Sequence, residues 1–208
     1  MSLRQSQLSG YSSVKRAFDI IASLFGLFVL VIPLAVSALA VRISSPGRVI
    51  FRQKRIGLGG KEFTIYKFRT MTEEHIDEAG IFEPGNQRRI TKVGKILRST
   101  KLDEFPQLWN VVKGDMSLVG PRPEVRKWVD AYPDRWQRIH KLRPGITDLA
   151  SIAFRNEEEL LAKSDDPENK YLQEILPKKL DMYDEYLNTR SFWGDILIIL
   201  KTIQRVFT

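Results

Sequence analysis

The residues best suited to covalent chemistry are the adjacent acids Asp103 and Glu104. They lie between apolar Leu102 and Phe105, just after the cations Arg98 and Lys101, and Pro106 follows. Proline is favoured in the first turn of a helix, so both carboxylates are expected at a helix N-terminus, where the dipole favours the anion. An ionised carboxylate held near cations can attack phosphorus and form an acyl-phosphate. Its neighbour can hold Mg²⁺, which neutralises a diphosphate and stabilises a leaving phosphate. An ordinary acidic helix start gives the same pattern. The chain has seven adjacent acid pairs, so adjacency alone selects none of them.

Composition narrows the chemistry. There is no cysteine and there are two histidines, His75 and His140. Disulfides, thiolate zinc sites, Fe–S clusters, a cysteine nucleophile and a three-histidine zinc site are therefore excluded. Any catalytic metal must be a hard cation held mostly by oxygen. The net charge of +8 comes from 33 basic and 25 acidic residues. Residues 1–154 hold 25 Lys/Arg against 14 Asp/Glu, a net of +11, and residues 155–208 hold 8 against 11, a net of −3. An anionic partner (phosphate, nucleic acid or an acidic membrane surface) is thus to be sought in the first three quarters of the chain.

One element must place such a site at a membrane. Residues 20–41 carry no charge, and fourteen of these twenty-two are Leu, Ile, Val or Phe. As a straight helix they would reach about 33 Å, enough to cross a bilayer. Pro33 removes a backbone donor and clashes with the Val29 carbonyl, which predicts a bend. Both flanks are basic: Lys15 and Arg16 before, then Arg42, Arg48, Arg52, Lys54 and Arg55 after. A spanning helix has a basic bias on one side, so two basic ends fit a re-entrant helix that returns to the cytoplasmic face. A straight span, a signal peptide cleaved near Ala38-Leu39-Ala40, and a buried core helix are the competing readings.

Beyond the Ser44-Ser45-Pro46-Gly47 turn, residues 48–55 and 62–68 read as a hairpin joined by Gly57-Leu58-Gly59-Gly60. That loop fails both glycine-rich phosphate motifs, because Glu62 follows Gly60-Lys61, Arg stands at position 55, and Glu62 replaces the last glycine of the dinucleotide pattern. Residues 73–87, with Pro84-Gly85, read as an exposed loop. Helices are expected over 88–98, from about 102 to Lys113-Gly114, and over 124–142. In the last of these Trp128, Tyr132 and Trp136 share a face, either as core packing or as an interfacial belt. Residues 156–190 read as one or two solvated helices, and 192–207 as a second interfacial helix. The expected fold class is α+β: mostly helical, with an N-terminal re-entrant helix (1–43), a cytoplasmic domain on the membrane surface (44–208), interfacial amphipathic helices and a small β-hairpin.

Ordered motifs run along the chain: Lys15-Arg16-Ala17-Phe18-Asp19, Phe51-Arg52-Gln53-Lys54-Arg55-Ile56-Gly57, Tyr66-Lys67-Phe68-Arg69-Thr70-Met71 and Gly94-Lys95-Ile96-Leu97-Arg98. Then come Leu102-Asp103-Glu104-Phe105-Pro106-Gln107-Leu108-Trp109-Asn110, Lys113-Gly114-Asp115-Met116-Ser117, Gly120-Pro121-Arg122-Pro123 and Arg143-Pro144-Gly145-Ile146-Thr147. In this order they resemble the bacterial sugar transferases, the monotopic phosphoglycosyl transferases or polyprenyl-phosphate hexose-1-phosphate transferases. The likeness covers residues 14 to about 205.

The resemblance implies a two-step exchange. Asp103 matches the family nucleophile, which attacks the β-phosphate of a UDP-sugar and expels UMP. A polyprenyl phosphate such as undecaprenyl phosphate then takes the phosphosugar. Glu104 matches the Mg²⁺ ligand, Arg98 and Arg122 match phosphate-holding positions, and Lys67, Arg55, Pro121 and Pro123 lie in motifs that face the same site. Membrane lipids are implied as partners, nucleic acid is not, a homodimer is compatible, and the implied location is the cytoplasmic face of the bacterial inner membrane. A non-catalytic basic adaptor for anionic lipid or nucleic acid is the alternative. This chain departs from the pattern in three places. Ile32 precedes Pro33 where smaller relatives often have Ser, Asp148-Leu149 follow Thr147 where many relatives have Gly-Trp, and Tyr183, flanked by Asp181 and Asp184, stands where Asp or Asn is frequent.

Overall fold

A computed structural model of the chain describes residues 3–72 and 89–207. The expected loop at 73–87, His75 and the start of the helix expected from residue 88 fall outside or at the edge of these residues. Two helices open the chain, α1 (Leu3–Val29) and α2 (Val31–Ser44), bent by 64° at Leu30. The bend falls where Pro33 dictates. Proline has no N–H to give Val29, so the ladder breaks there, and Pro33 sits in the first turn of α2, where the lost donor costs nothing. Among the described residues no single helix is long and apolar enough to cross a membrane, while this bent pair has the length and composition to do so together.

The N-terminal half of α1 is held by polar contacts. Arg16 donates to the carbonyls of Val111, Val112 and Met116 at 2.7–3.3 Å, capping the C-terminal end of α4 (Gln107–Lys113) with a cation. Asp19, buried, accepts from Ser117 Oγ at 2.7 Å and from the Leu118 N–H at 3.3 Å. The other face is left bare: Ile21, Phe25, Phe28 and Ile32 are 66–78% exposed.

The hairpin forms as the sequence predicts. Strands β1 (Ile50–Ile56) and β2 (Glu62–Phe68) pair antiparallel from Ile50↔Phe68 to Ile56↔Glu62. The connecting turn places Gly59 and Gly60 at φ 67° and 72°, a conformation that needs glycine. Helix α3 (Lys92–Ser99) starts later than its apolar spacing suggested, because Thr91 caps it by accepting the Gly94 N–H and Ile90 bridges to Met71 instead.

Three expectations need correction. A second sheet exists: β3 (Ser117–Val119) runs parallel to β4 (Gly145–Thr147). The strands approach so closely that a Cβ at Gly145 would lie 2.2 Å from the Gly120 nitrogen. The helix expected over 124–142 is two, α5 (Arg126–Asp130) and α6 (Pro133–Ile139), because Pro133 pushes Tyr132 out of helical geometry and starts a new helix. Of the two readings of the Trp128–Trp136 stripe, core packing holds, with the two rings 4% and 1% exposed. Finally, residues 156–190 are not merely solvated. After α7 (Leu149–Ala153), the helices α8 (Glu157–Ala162), α9 (Pro167–Lys170) and α10 (Leu176–Thr189), with the π-helical turn Tyr171–Ile175 joining the last two, send Leu161, Tyr171, Ile175, Leu176, Leu180 and Tyr183 into the largest apolar core, against Trp128, Trp136 and Ile139. Each such side chain contributes roughly 1.5–3 kcal/mol. The last helix, α11 (Phe192–Phe207), buries Asp195 and Ile198 and exposes Trp193, Leu197, Leu200 and Ile203.

Candidate active site

Asp103 and Glu104 lie in a 3₁₀ turn, Leu102–Glu104, one turn before α4 begins at Gln107. They are therefore upstream of the helix N-terminus that Pro106 suggested. The turn is entered through Lys101 at φ 59°, the one non-glycine residue with positive φ among those described. A left-handed lysine costs about 1–2 kcal/mol, and such strain persists where the surroundings fix it. Here it aims Asp103 inward and brings the Glu104 N–H back to the Lys101 carbonyl.

The two carboxylates have opposite electrostatics. Glu104 Oε1 accepts from Lys67 Nζ at 2.8 Å, and Arg122 grips both oxygens, with Nη1 3.3 Å from Oε2. Burial alone would raise its pKa, but the charges and hydrogen bonds of Arg122 and Lys67 hold it well below the usual carboxylate range. Glu104 in turn raises the pKa of Arg122, while burial lowers that of Lys67 against the pull of Glu104. Asp103 is 8% exposed, and its Oδ1 is buried with no hydrogen-bond partner. Burial, then the adjacent Glu104 charge, push its pKa up to about 6, against the opposing charges of Lys67, Lys101 and Arg98. Outside the helix N-terminus, Asp103 has its pKa moved upward, opposite to the direction expected from a helix dipole. At neutral pH Asp103 is still mostly ionised, a carboxylate with an unspent oxygen beside two cations.

The other sequence-selected residues divide. Lys67 from β2 and Arg122 from the Gly120–Pro123 turn meet Glu104 directly. Pro121 and Pro123 frame Arg122 through their backbones: the Pro121 carbonyl accepts from Gly145 N–H and that of Pro123 from Arg55. Arg98 sends its charge toward Asp103, but its guanidinium is bonded to Thr70 Oγ1 at 3.0 Å and to Glu158. Arg55 is not hydrogen-bonded to the pair, though the charge of Glu104 acts on it. It is bound to Glu124 at 3.1 Å and to Gln53, a supporting position one residue behind Arg122.

A layer behind Arg122 was not singled out for a role. Asp148 is buried, caps α7 by accepting from Ser151 N–H at 2.9 Å and Ser151 Oγ at 2.6 Å, and lies in the field of Arg122. Tyr171 donates to Glu124 at 2.7 Å, and Lys179 pairs with Glu157. Of the three neighbours near 183, Tyr183 is the one inside, facing Asp148 and Glu124, whereas Asp181 and Asp184 turn outward onto Arg135 at 2.8 and 2.7 Å. The Asp148-x-x-Ser151 spacing was a legible helix-cap signal; nothing local marked Tyr183.

The donor set fits Mg²⁺ in kind. Among the described residues no three metal-ligating side chains gather. Mg²⁺, however, is commonly held by one or two carboxylates with substrate phosphates and waters completing the shell. Asp103 Oδ1 has no protein partner, and Glu104 Oε2 accepts only one contact, at 3.3 Å, so each retains a free lone pair.

The two-layered cluster of carboxylates and cations on a bent-helix scaffold finds its class by comparison. A family profile described as bacterial sugar transferase matches residues 10–208, and the chain belongs to that family. It is 37% identical over 202 residues to the UDP-N-acetylgalactosamine-undecaprenyl-phosphate N-acetylgalactosaminephosphotransferase of Aeromonas hydrophila, covering 95% of this chain and 44% of that protein. It is 38% identical over 214 residues to the UDP-glucose:undecaprenyl-phosphate glucose-1-phosphate transferase of Escherichia coli K12, covering 99% and 43%. The uncharacterized sugar transferase EpsL of Bacillus subtilis is 39% identical over 195 residues, covering 93% and 87%. The chain thus spans less than half the length of the first two relatives.

Proposed function

We propose that the chain moves a sugar-1-phosphate from a UDP-sugar to a polyprenyl phosphate, undecaprenyl phosphate being the acceptor named for the Aeromonas hydrophila and Escherichia coli relatives, through a phosphosugar carried on Asp103. One observation carries this reading: a buried carboxylate oxygen without a partner, on Asp103, beside a Glu104–Lys67–Arg122 cluster. In the first step an Asp103 oxygen forms a bond to the β-phosphorus. The bond from that phosphorus to the α–β bridging oxygen breaks, and UMP leaves with the electron pair. In the second, an oxygen of the polyprenyl phosphate bonds to the same phosphorus, the aspartyl–phosphorus bond breaks, and the Asp103 carboxylate is restored. Lys67 and Arg122 sit where charge on the phosphoryl oxygens would be met. Glu104, with Asp103 at its side, would hold Mg²⁺, which when bound neutralises diphosphate charge. The buried Asp148 adds a negative charge that favours the Arg122 guanidinium.

The anchor belongs to the same reading. The bent α1–α2 pair carries an uncharged run with exposed Phe25, Phe28, Ile32 and Leu39 between two basic flanks. This favours entry into one leaflet and return to the cytoplasmic face of the inner membrane, with residues 44–208 lying on that face and the apolar side of α11 against it. Soluble donor and lipid acceptor then meet at one surface, as the opening membrane step of glycoconjugate assembly requires. The test is UMP release by purified protein with undecaprenyl phosphate, Mg²⁺ and a panel of UDP-sugars. A donor that releases UMP only when Asp103 is present supports the proposal, and release by Asp103→Asn at the parent rate removes the covalent step.

A further inference from the structure

A cavity of about 220 Å³ lies beside the stretch of α1 from Tyr11 to Asp19, just before the apolar run, and it shares no lining residue with the Asp103 site. Lys15, Arg16, Lys141, Arg143 and Arg190 converge on it. The acids nearby are already engaged. Asp19, in the wall, accepts from Ser117 and Leu118 and faces Lys15 at 3.8 Å. Asp195 behind it takes Lys15 at 2.7 Å, Tyr11 at 2.8 Å and Tyr186 at 2.7 Å. Five cations against two acids leave three positive charges in excess. Arg143 uses Nε on the Gly114 carbonyl at 3.0 Å, and among the described residues its two Nη groups and the exposed Lys141 ammonium have no protein partner. Arg143 also lies close enough to Arg16 for its charge, after burial, to weaken the Arg16 guanidinium's hold on its proton. Packing like charges together without a counter-ion is unfavourable, and an anion shared between them would relieve it.

We propose that this cavity binds a phosphate group, that of an acidic phospholipid headgroup, through Arg143 and Lys141 with Arg190 beside them. The position argues for a lipid as the source. Asp19 on its wall is followed at once by the uncharged run beginning at Ile20, and Ile21 and Phe25 one turn on are 67% and 66% exposed. A phosphate held here would therefore sit where headgroups lie if α1–α2 enters a leaflet. The inference rests on that anchoring part of the proposed function and not on the transfer chemistry.

The experiment uses the full chain in neutral detergent and isothermal titration with three probes: dihexanoyl phosphatidylglycerol, dihexanoylglycerol and inorganic phosphate. Phosphatidylglycerol is expected to bind, the phosphate-free diacylglycerol not to, and Lys141→Gln and Arg143→Gln each to weaken binding about fivefold, the value of one cation near an anionic headgroup. Inorganic phosphate bound with the same sensitivity to the variants, and no gain from the acyl chains, keeps the site and moves the source to a free anion. Phosphatidylglycerol bound no better than dihexanoylglycerol together with no phosphate binding, or binding indifferent to both variants, overturns the proposal. If Arg143→Gln melts early through loss of its Gly114 bond, Lys141→Gln on the exposed residue decides alone. UMP release by the same preparations reports separately on the transfer reading, because neither residue belongs to the Asp103 site.

Discussion

Arg98 on α3 gives Nη1 to both carboxylate oxygens of Glu158 on α8, at 3.0 and 2.8 Å, while its charge still reaches Asp103. A guanidinium suited to a donor phosphate is thus occupied by an acid that is itself 48% exposed in its side chain. Such a pair is worth about 0.2–1 kcal/mol, so a phosphate dianion can displace it. Glu158→Gln is expected to leave the melting temperature within a few degrees of the parent and to lower the donor KM severalfold in a UMP-release assay. An unchanged KM would mean that Arg98 does not contact the donor.

Asp103 titrates near pH 6 because burial raises it, and it acts in the proposed reaction as the anion. UMP release should therefore fall as pH drops through about 6. The stability effect has the opposite sense. A carboxyl whose folded pKa lies above its unfolded value binds more protons when folded, so its contribution declines as pH rises from about 4 to about 6 and stays lost above. Asp103→Asn should then abolish turnover yet raise stability at pH 7.5 by up to about 3 kcal/mol, with little gain at pH 4. Calorimetric melts of both proteins at the two pH values give the check. A variant less stable than the parent at pH 7.5 would contradict the burial argument.

Glu104 neutralises two cations, so its loss is structural as well as chemical. Glu104→Ala would leave Lys67 and Arg122 without the acid they are bonded to, with only the unbonded charge of Asp103 reaching Lys67. Breaking a buried pair in this way costs up to about 3–5 kcal/mol, reduced here because Lys67 and Arg122 keep side-chain exposures of 20% and 28%. Glu104→Gln keeps one oxygen to accept from Lys67 and Arg122 but turns the other acceptor into an N–H₂ group facing Arg122, so it should melt between Glu104→Ala and the parent while needing more Mg²⁺ for half-maximal UMP release. A Mg²⁺ dependence identical to the parent's would take Glu104 out of metal binding.

What the sequence disclosed was local. The β1–β2 hairpin, the break that Pro33 imposes after Val29 and the half-apolar face of α11 are each written within one stretch of chain, and each formed as read. The β3–β4 pairing was not legible, because two three-residue strands are defined only by the approach of Gly120 to Gly145, twenty-five residues away. Pro133 was visible and should have split the helix over 124–142. In the site, the Asp103–Glu104 pair and the partners Lys67 and Arg122 were legible through motif order. The raised pKa of Asp103 was not, since burial is set by the whole fold and not by the local sequence. Likewise the acidic surface of 156–190 hid Leu161, Leu180 and Tyr183, whose inward direction is set by packing against Trp136.

The bend at Leu30 gives the last expectation. Pro33 withholds the donor that Val29 would otherwise receive, and an alanine there would supply it and remove the ring clash. Pro33→Ala should fuse α1 and α2 into one helix whose uncharged stretch of twenty-two residues, about 33 Å, can cross a bilayer. The chain has no cysteine, so a single Ser12→Cys on the exposed start of α1 can be labelled cleanly. With a membrane-impermeant maleimide on intact cells, Ser12→Cys alone should stay unlabelled, because a re-entrant pair keeps both ends on the cytoplasmic side. The double variant should become labelled in a measurable fraction of molecules, as the straightened helix carries its N-terminus across. Labelling of Ser12→Cys with Pro33 intact would show that the bent pair spans the membrane and that the two basic flanks do not hold both ends on one side.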